Sequence, residues 1–196
     1  MTQQTDFFSH ALHTIVYAVG RAAVEADLDR HPETIRKSVK RRCLSQLKRL
    51  AIIIRRLLFL MALQLELAPL KPCAGRNYFE AGKADAPKTH SFSLAPPPVG
   101  KCPDFLRGPQ IVPHRGPVPA APLIARVQAM LNALKHCERR AKGLARTLQR
   151  WQARGDSKPH ILPIPKTHRL PAALALVSGA LTARLIESLR NWPDTS

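Results

Sequence analysis

The sequence predicts an all-α fold of four amphipathic helices, arranged as two helical pairs or one loose bundle and joined by a long proline-rich, largely irregular connector. Three observations support this prediction. Aromatic residues make up only 5% of a 196-residue chain that is 45% hydrophobic, so its core is mainly aliphatic. Apolar residues recur at steps of three and four in four segments, which is the spacing of one helix face. Twelve of the 18 prolines lie in residues 69–122, where they disfavour a helix.

The first helix is predicted from an apolar stripe close to the N-terminus. Its members recur every three or four residues: Phe8, Leu12, Ile15, Val19, Ala22 and Ala26. A proline pushes the residue before it out of the α region. The helix is therefore expected to end near Arg30, shortly before Pro32.

The second helix is predicted over residues 32–68, with Pro32 in its first turn and Glu33 at the positive end of its macrodipole. Its length would be roughly 50 Å at ~1.5 Å per residue. Beyond Ala51 the sequence is apolar on nearly all sides, so this half is expected to be buried against several partners or paired with another chain. The stripe comprises Ile35, Val39, Cys43, Leu47, Leu50, Ile54, Leu57, Met61, Leu65 and Ala68.

The third helix is predicted over residues 122–154 from a nearly heptad-spaced seam, which is typical of a coiled coil. The seam comprises Leu123, Val127, Met130, Leu134, Cys137, Ala141, Leu144, Leu148 and Trp151. The fourth helix, from residue 171 to about residue 191, has one apolar face: Leu174, Val177, Leu181, Leu185 and Leu189. Ala175, Gly179 and Ala183 form a separate ridge of small residues, which another helix can approach closely.

Residues 69–121 are predicted to be a proline-rich linker, disordered or wrapped on the surface, because prolines favour extended backbone without internal hydrogen bonds. Within the linker, residues 91–94 (SFSL) favour a short strand. The chain is thus divided into an N-terminal helical pair (residues 5–68), the linker, and a C-terminal helical pair (residues 122–192).

The formal net charge of +18 is concentrated on the two long helices. Residues 33–68 and residues 122–154 each carry a net charge of +7, whereas the first helix is slightly acidic and the fourth is nearly neutral. Such an excess favours polyanions as partners. The candidate binding residues form a block on the second helix and a stripe on the third: Arg36, Lys37, Lys40, Arg41, Arg42, Lys135, Arg139, Lys142, Arg146, Arg150 and Arg154.

We expect these residues to bind the phosphate backbone of DNA or RNA, with an affinity that depends on salt and not on sequence. The other interpretation of the charge is a solvated face that keeps apolar helices in solution. An alternative function is a helical interaction or adaptor protein, or a peripheral protein on an anionic membrane surface, which docks or self-associates through its apolar seams and basic faces. Exposed, converging basic faces would favour nucleic acid, and an exposed apolar half of the second helix would favour a membrane or another chain.

A helix-turn-helix interpretation rests on -PETIR- (residues 32–36), a run typical of the opening of a recognition helix. It would make Arg36, Lys37 and Lys40 the groove-facing residues. The preceding segment departs from the motif, since Asp29 occupies the position that normally takes glycine. The other interpretation is a plain helix–proline–helix junction.

The sequence lacks the motifs of an enzyme: paired carboxylates, a nucleophile elbow, a glycine-rich phosphate loop and a Cys/His pair. We therefore expect a protein without catalytic activity or cofactor, and no small-molecule substrate is indicated. No two pairs of donors occur at metal-ligand spacing, so no metal site is predicted.

The cysteines and the N-terminus indicate a reducing compartment. Cys43, Cys73, Cys102 and Cys137 are scattered without a CxxC pair and are expected to be reduced thiols. The N-terminal run MTQQTDFFSH lacks the basic and apolar regions of a secretory signal. The apolar run at residues 57–63 is far shorter than the roughly 20 residues that a membrane span requires. These features predict a cytoplasmic protein.

Overall fold

A long helix with an apolar second half lies at the centre of the fold. The structure is a computed structural model, and it describes residues 2–68, 92–93, 116–161, 164, 167–190 and 192. The described residues form five α-helices, a short 3-10 turn at Thr167–Arg169 and one two-stranded antiparallel sheet. The elements are α1 (Thr2–Val24), β1 (Thr34–Ile35), α2 (Lys37–Leu63), β2 (Val118–Pro119), α3 (Ala121–Lys135), α4 (Cys137–Ala153) and α5 (Ala172–Ser188). The prediction of a mostly helical protein is therefore confirmed.

Helix α2 lies at the centre, because α1, α3, α4 and α5 all pack against it. Its second half is buried on nearly every side, and five of its side chains have no exposed surface: Ile53, Ile54, Leu57, Leu58 and Leu60. The first of the two expectations for this half, burial against several partners, is confirmed, and the partners are helices of the same chain. In the described part of the chain, neither α2 nor another helix is long and apolar enough to cross a membrane.

The other helices run in defined directions along α2. The Cys43 thiol donates a hydrogen bond to the carbonyl of Ala22, so the end of α1 lies beside the start of α2 and the two helices are antiparallel. Arg56 contacts Thr182 in the middle of α5, and Leu189 clusters with Ala62 at the end of α2. Helix α5 therefore runs in the same direction as α2.

The core is aliphatic, as the composition predicts. One cluster of buried residues combines side chains of α1, α2, α3 and α5. A second, smaller cluster lies at the far end of α2, where Ala62 meets Leu148 and Trp192. The predicted apolar face of α5 is confirmed in full, since each of its five residues is buried: Leu174, Val177, Leu181, Leu185 and Leu189.

The predicted third helix is two helices, so the predicted count of four is wrong by one. His136 has φ −110° and ψ 33°, which interrupts the helix between α3 and α4 although no glycine or proline lies there. Helix α3 packs against α1 and α2, whereas α4 packs mainly against α2. Because His136 is not helical, α3 and α4 can each turn an apolar face toward the helices that they contact. The predicted coiled-coil seam is therefore divided at His136.

The start of the second helix is also corrected. Residues 32–36 do not open a helix, because Thr34 and Ile35 pair with Val118 and Pro119 in the β1–β2 sheet. The amide of Ala120 extends this ladder by donating to the carbonyl of Glu33 at 3.0 Å. Helix α2 begins only at Lys37 and ends at Leu63, so the helix-turn-helix interpretation of this segment is wrong.

The end of α1 lies six residues before the predicted Arg30, because a capping motif closes it first. Asp27 adopts a left-handed conformation with φ 54°. The amide of Leu28 donates to the carbonyl of Ala23, and that of Asp27 to the carbonyl of Val24. These two bonds form a Schellman motif, which satisfies the last carbonyls of the helix, and Leu28 packs into the core beneath it.

Most of the predicted linker, residues 69–91 and 94–115, lies outside the described residues. The division of the chain at residues 69 and 122 therefore stays a prediction. Of the strand predicted at residues 91–94, Phe92 and Ser93 are described, and neither is in a strand. Both contact arginines of the helical bundle instead.

Truncating the centre of α2 should destabilise the whole bundle. We expect Leu57→Ala to lower the free energy of unfolding by about 2–5 kcal/mol, because it leaves a cavity among several helices. Leu176→Ala on α5 is the matched control, since this leucine is 76% exposed and its truncation should cost less than about 0.5 kcal/mol. Urea denaturation measures both values, and equal losses would contradict the central burial of α2.

Candidate polyanion-binding surface

The basic residues on and beside α4 form an exposed stripe, called here the α4 stripe: Lys135, Arg139, Lys142, Arg146, Arg150 and Arg154. All six side chains are exposed. On the opposite side of α4, Ala141, Ala145 and Leu148 are buried. The apolar face of α4 thus fixes the helix on α2 and turns the cations outward.

Few acids accompany the α4 stripe. Within the described residues, its one ion pair joins Arg154 Nη2 to Asp156 Oδ2 at 2.8 Å. Glu138 is the only acidic residue of α4 itself. From Arg139 to Arg154 the stripe extends roughly 22 Å at ~1.5 Å per residue. The result is a nearly uncompensated row of positive charge along one outer helix face.

The second group of candidates, called here the α2 block, occupies the start of α2: Arg36, Lys37, Lys40, Arg41 and Arg42. Lys40 is half-buried and the other four are exposed. The first turn of α2 contains no acidic residue, and no side chain caps its N-terminus. The cations therefore lie at the positive end of the helix macrodipole, which is the unfavourable end for them.

Glu25, in the turn after α1, borders the α2 block, because it lines a small pocket together with Arg42. Glu25 has a lowered carboxyl pKa, mainly because Gln46 donates a hydrogen bond to it, and the charges of Arg21 and Arg42 add to the effect. Asp27 and Asp29 are exposed in the same turn. The positive potential of the α2 block is therefore partly offset by neighbours, unlike that of the α4 stripe.

The two basic groups lie at different levels of α2. Arg55 of α2 donates to the carbonyl of Ser93 at 3.0 Å, and Arg140 of α4 donates to the carbonyl of Phe92, also at 3.0 Å. The start of α4 is thus level with Arg55, which is roughly 22 Å beyond Lys40 along the axis of α2. At its other end α4 reaches the end of the bundle, where Gln149 donates to the carbonyl of Ala68.

Sequence reasoning did not predict that two arginines of α2, Arg55 and Arg56, make contacts inside the helical bundle. The guanidinium of Arg55 lies 5.2 Å from the centre of the Phe92 ring, and the pKa of Arg55 is lowered by burial and by the charge of Arg126. Arg56 is only 8% exposed, and its Nη1 donates to Thr182 Oγ1 at 2.6 Å. Thr182 in turn donates to the carbonyl of Ser178. The available signal was the Arg55–Arg56 pair inside an otherwise apolar run.

The two cysteines that the structure describes lie against the core. Cys43 is 2% exposed, and burial raises the pKa of its thiol to about 11. Cys137 is half-buried, and burial raises its pKa as well. These thiols are packing residues and poor nucleophiles. Among the described residues, no three His, Cys, Asp or Glu side chains come close enough together to hold a metal ion.

Comparison of the chain with protein-family models, with curated proteins and with solved structures finds no match.

The raised pKa of Cys43 predicts a slow, strongly pH-dependent alkylation. At pH 8 a thiol of pKa about 11 has roughly one-hundredth of the thiolate of an ordinary cysteine, and the thiolate is the nucleophile. With iodoacetamide, the Cys43 peptide should react roughly a hundredfold more slowly in the folded protein than in urea. Its rate should keep rising about tenfold per pH unit to pH 10, where an ordinary thiol has levelled off. Mass spectrometry follows the reaction, and equal rates in buffer and urea would contradict the burial.

Proposed function

We propose that this is a non-enzymatic protein that binds the phosphate backbone of nucleic acid through the α4 stripe. One observation carries the proposal: four exposed cations follow one outer face of α4, with Lys135 and Arg154 just beyond its two ends and a single ion pair among the described residues. A face built only to keep a helix in solution does not need one sign of charge. Mixed charges serve that purpose, and they also add favourable pairs between successive turns.

The expected affinity comes from counterion release. Each phosphate that a lysine or arginine neutralises frees condensed cations, so the logarithm of the binding constant falls with the logarithm of salt concentration by about 0.9 per contact on duplex DNA. Contacts of this kind carry no sequence information. The proposed activity is therefore binding without sequence preference, strongest at low salt.

The surroundings of Trp151 support contact with the backbone and not with stacked bases. Binding by stacking needs aromatic rings that face the strand. Trp151 is the aromatic residue closest in sequence to the α4 stripe, but it is half-buried and packs on the cluster that contains Ala145 and Leu148. Its ring is engaged in holding α4 on α2.

The α2 block is proposed as a weaker, second contact. Its five cations lie at a helix N-terminus without acidic residues in the first turn, an arrangement that a bound phosphate would relieve. The acids of the preceding turn reduce its potential, and it is too far along α2 to continue the α4 stripe. A nucleic acid that contacts both the α2 block and the α4 stripe would have to cross the surface of the helical bundle between them.

Burial of the apolar half of α2 argues against the alternative of a peripheral membrane protein that inserts this segment into lipid. Ile53, Leu57 and Leu58 have no exposed surface, so they do not reach a lipid interface without unfolding the bundle. This favours nucleic acid over a membrane as the polyanion. Binding to anionic vesicles is measured beside binding to nucleic acid to test this preference.

The decisive experiment measures binding to a labelled 30-base-pair duplex between about 50 and 200 mM KCl, the range over which counterion release has its largest effect. We expect Lys142→Gln, Arg146→Gln and Arg150→Gln together to weaken binding and to reduce the salt slope by about 2.7, if each residue neutralises one phosphate. The matched control replaces Lys40, Arg41 and Arg42 with Gln, which removes the same charge from the α2 block and should change the slope less.

Two results would contradict the proposal. One is the absence of salt-sensitive binding to duplex or single-stranded nucleic acid at the lowest salt. The other is an identical loss in the two triple variants, which would indicate a response to net charge alone. Stronger binding to phosphatidylserine vesicles than to duplex DNA would assign the α4 stripe to a membrane surface.

A further inference from the structure

A cleft of about 330 Å³ lies between α1, α2 and the segment that leads into α5. Basic side chains from three separate parts of the chain line it: Arg21 from α1, Arg49 from α2, and Arg169 from the 3-10 turn. Leu50, Leu170 and Leu174 supply apolar walls. None of the eleven candidate polyanion-binding residues lines this cleft, so it is independent of the function proposed above.

The one carboxylate in the lining is already engaged. Glu25 Oε1 accepts from Arg21 Nε at 2.8 Å, and Glu25 Oε2 accepts from Gln46 Nε2, also at 2.8 Å. Within the described residues, Arg49 and Arg169 have no ion pair with an acid. Two positive charges of the lining are therefore left without a carboxylate.

A second, independent observation concerns the hydrogen bonding of Arg49. Its Nε atom is buried and has no hydrogen-bond partner among the described residues. Buried polar groups are nearly always hydrogen-bonded, so an unpaired one needs an explanation, and a bound anion close to the guanidinium is one. A guanidinium presents its donors in a planar fork that matches the two oxygens of a carboxylate or a phosphate.

We propose that this cleft, called here the Arg49 cleft, binds a small organic anion with a carboxylate or phosphate head group and a short apolar body. The head group would accept hydrogen bonds from Arg49 and Arg169, and the apolar body would lie against Leu50 and Leu174. The cleft volume is at the lower end of the range of small-molecule sites, which is roughly 300–1,000 Å³. The described lining combines the two features of such sites, apolar walls and a few convergent polar groups.

Four probes test the ligand class on the full-length protein: hexyl phosphate, hexanoate, inorganic phosphate and 1-hexanol. Calorimetry gives the affinities, and the NMR signal of the Arg49 Nε–H group reports the site directly. We expect hexyl phosphate or hexanoate to bind and shift that signal, and the tighter of the two identifies the head group. Inorganic phosphate and 1-hexanol should bind at least tenfold more weakly, because each lacks one half of the recognition.

Variants test the residues. Arg49→Gln should weaken the better probe at least tenfold, and Arg169→Gln, a change at the exposed rim that carries little risk to folding, about threefold or more. Arg41→Gln removes the same charge from the α2 block and should leave the affinity within twofold. The triple variant of the α4 stripe should also bind the probe normally, which separates this proposal from the binding of nucleic acid.

The proposal is overturned if no probe shifts the Arg49 signal, or if both arginine variants in the cleft bind like the wild type. Equal affinities for 1-hexanol and hexanoate would also overturn it, since the arginines would then not recognise the anionic head group. Equal binding of inorganic phosphate and hexyl phosphate would overturn the assigned ligand class, since the apolar walls would then contribute nothing.

Discussion

The burial of the second half of α2 is the constraint on which the rest of the structure depends. This segment is apolar on nearly all sides, and a helix of that kind is stable in water only if other helices cover it. Helices α1, α3, α4 and α5 provide that cover. With few aromatic residues in the chain, the enclosed volume is filled by leucine, isoleucine and alanine side chains, which suit close packing between helices.

The same constraint determines where the charge lies. An aliphatic core accepts few ions, so the lysines and arginines of the five helices lie mostly on faces turned away from it. Helix α4 shows this most clearly, because its buried face contains alanines and a leucine and its outer face contains the α4 stripe. Three of the arginines that reach the interior are held by oxygen acceptors: Arg56 by Thr182, and Arg55 and Arg140 by backbone carbonyls. The binding surface and the core thus follow from one pattern of apolar and basic residues.

Periodicity predicted the parts of the fold that depend on a single helix. The apolar face of α5 and the outward direction of the α4 stripe required only the spacing of residues along the chain. The interruption at His136 was not predictable, because no local residue causes it and the two halves of the segment differ only in what they pack against. The β1–β2 sheet was missed for a related reason: Thr34 and Ile35 are extended because they pair with residues at the far end of the proline-rich segment. The Arg49 cleft likewise combines residues of three distant segments, and sequence spacing gives no sign that they meet.

Native-state hydrogen exchange of the amides of residues 53–60 tests the central role of α2 most directly. If the other helices cover this segment on every side, its amides exchange only when the whole protein unfolds. Their exchange free energy should then equal the free energy of unfolding from urea denaturation in the same buffer, and should fall in parallel with it as urea is added. Exchange of these amides at a clearly lower free energy, with little dependence on urea, would mean that α2 opens without global unfolding and would contradict this account.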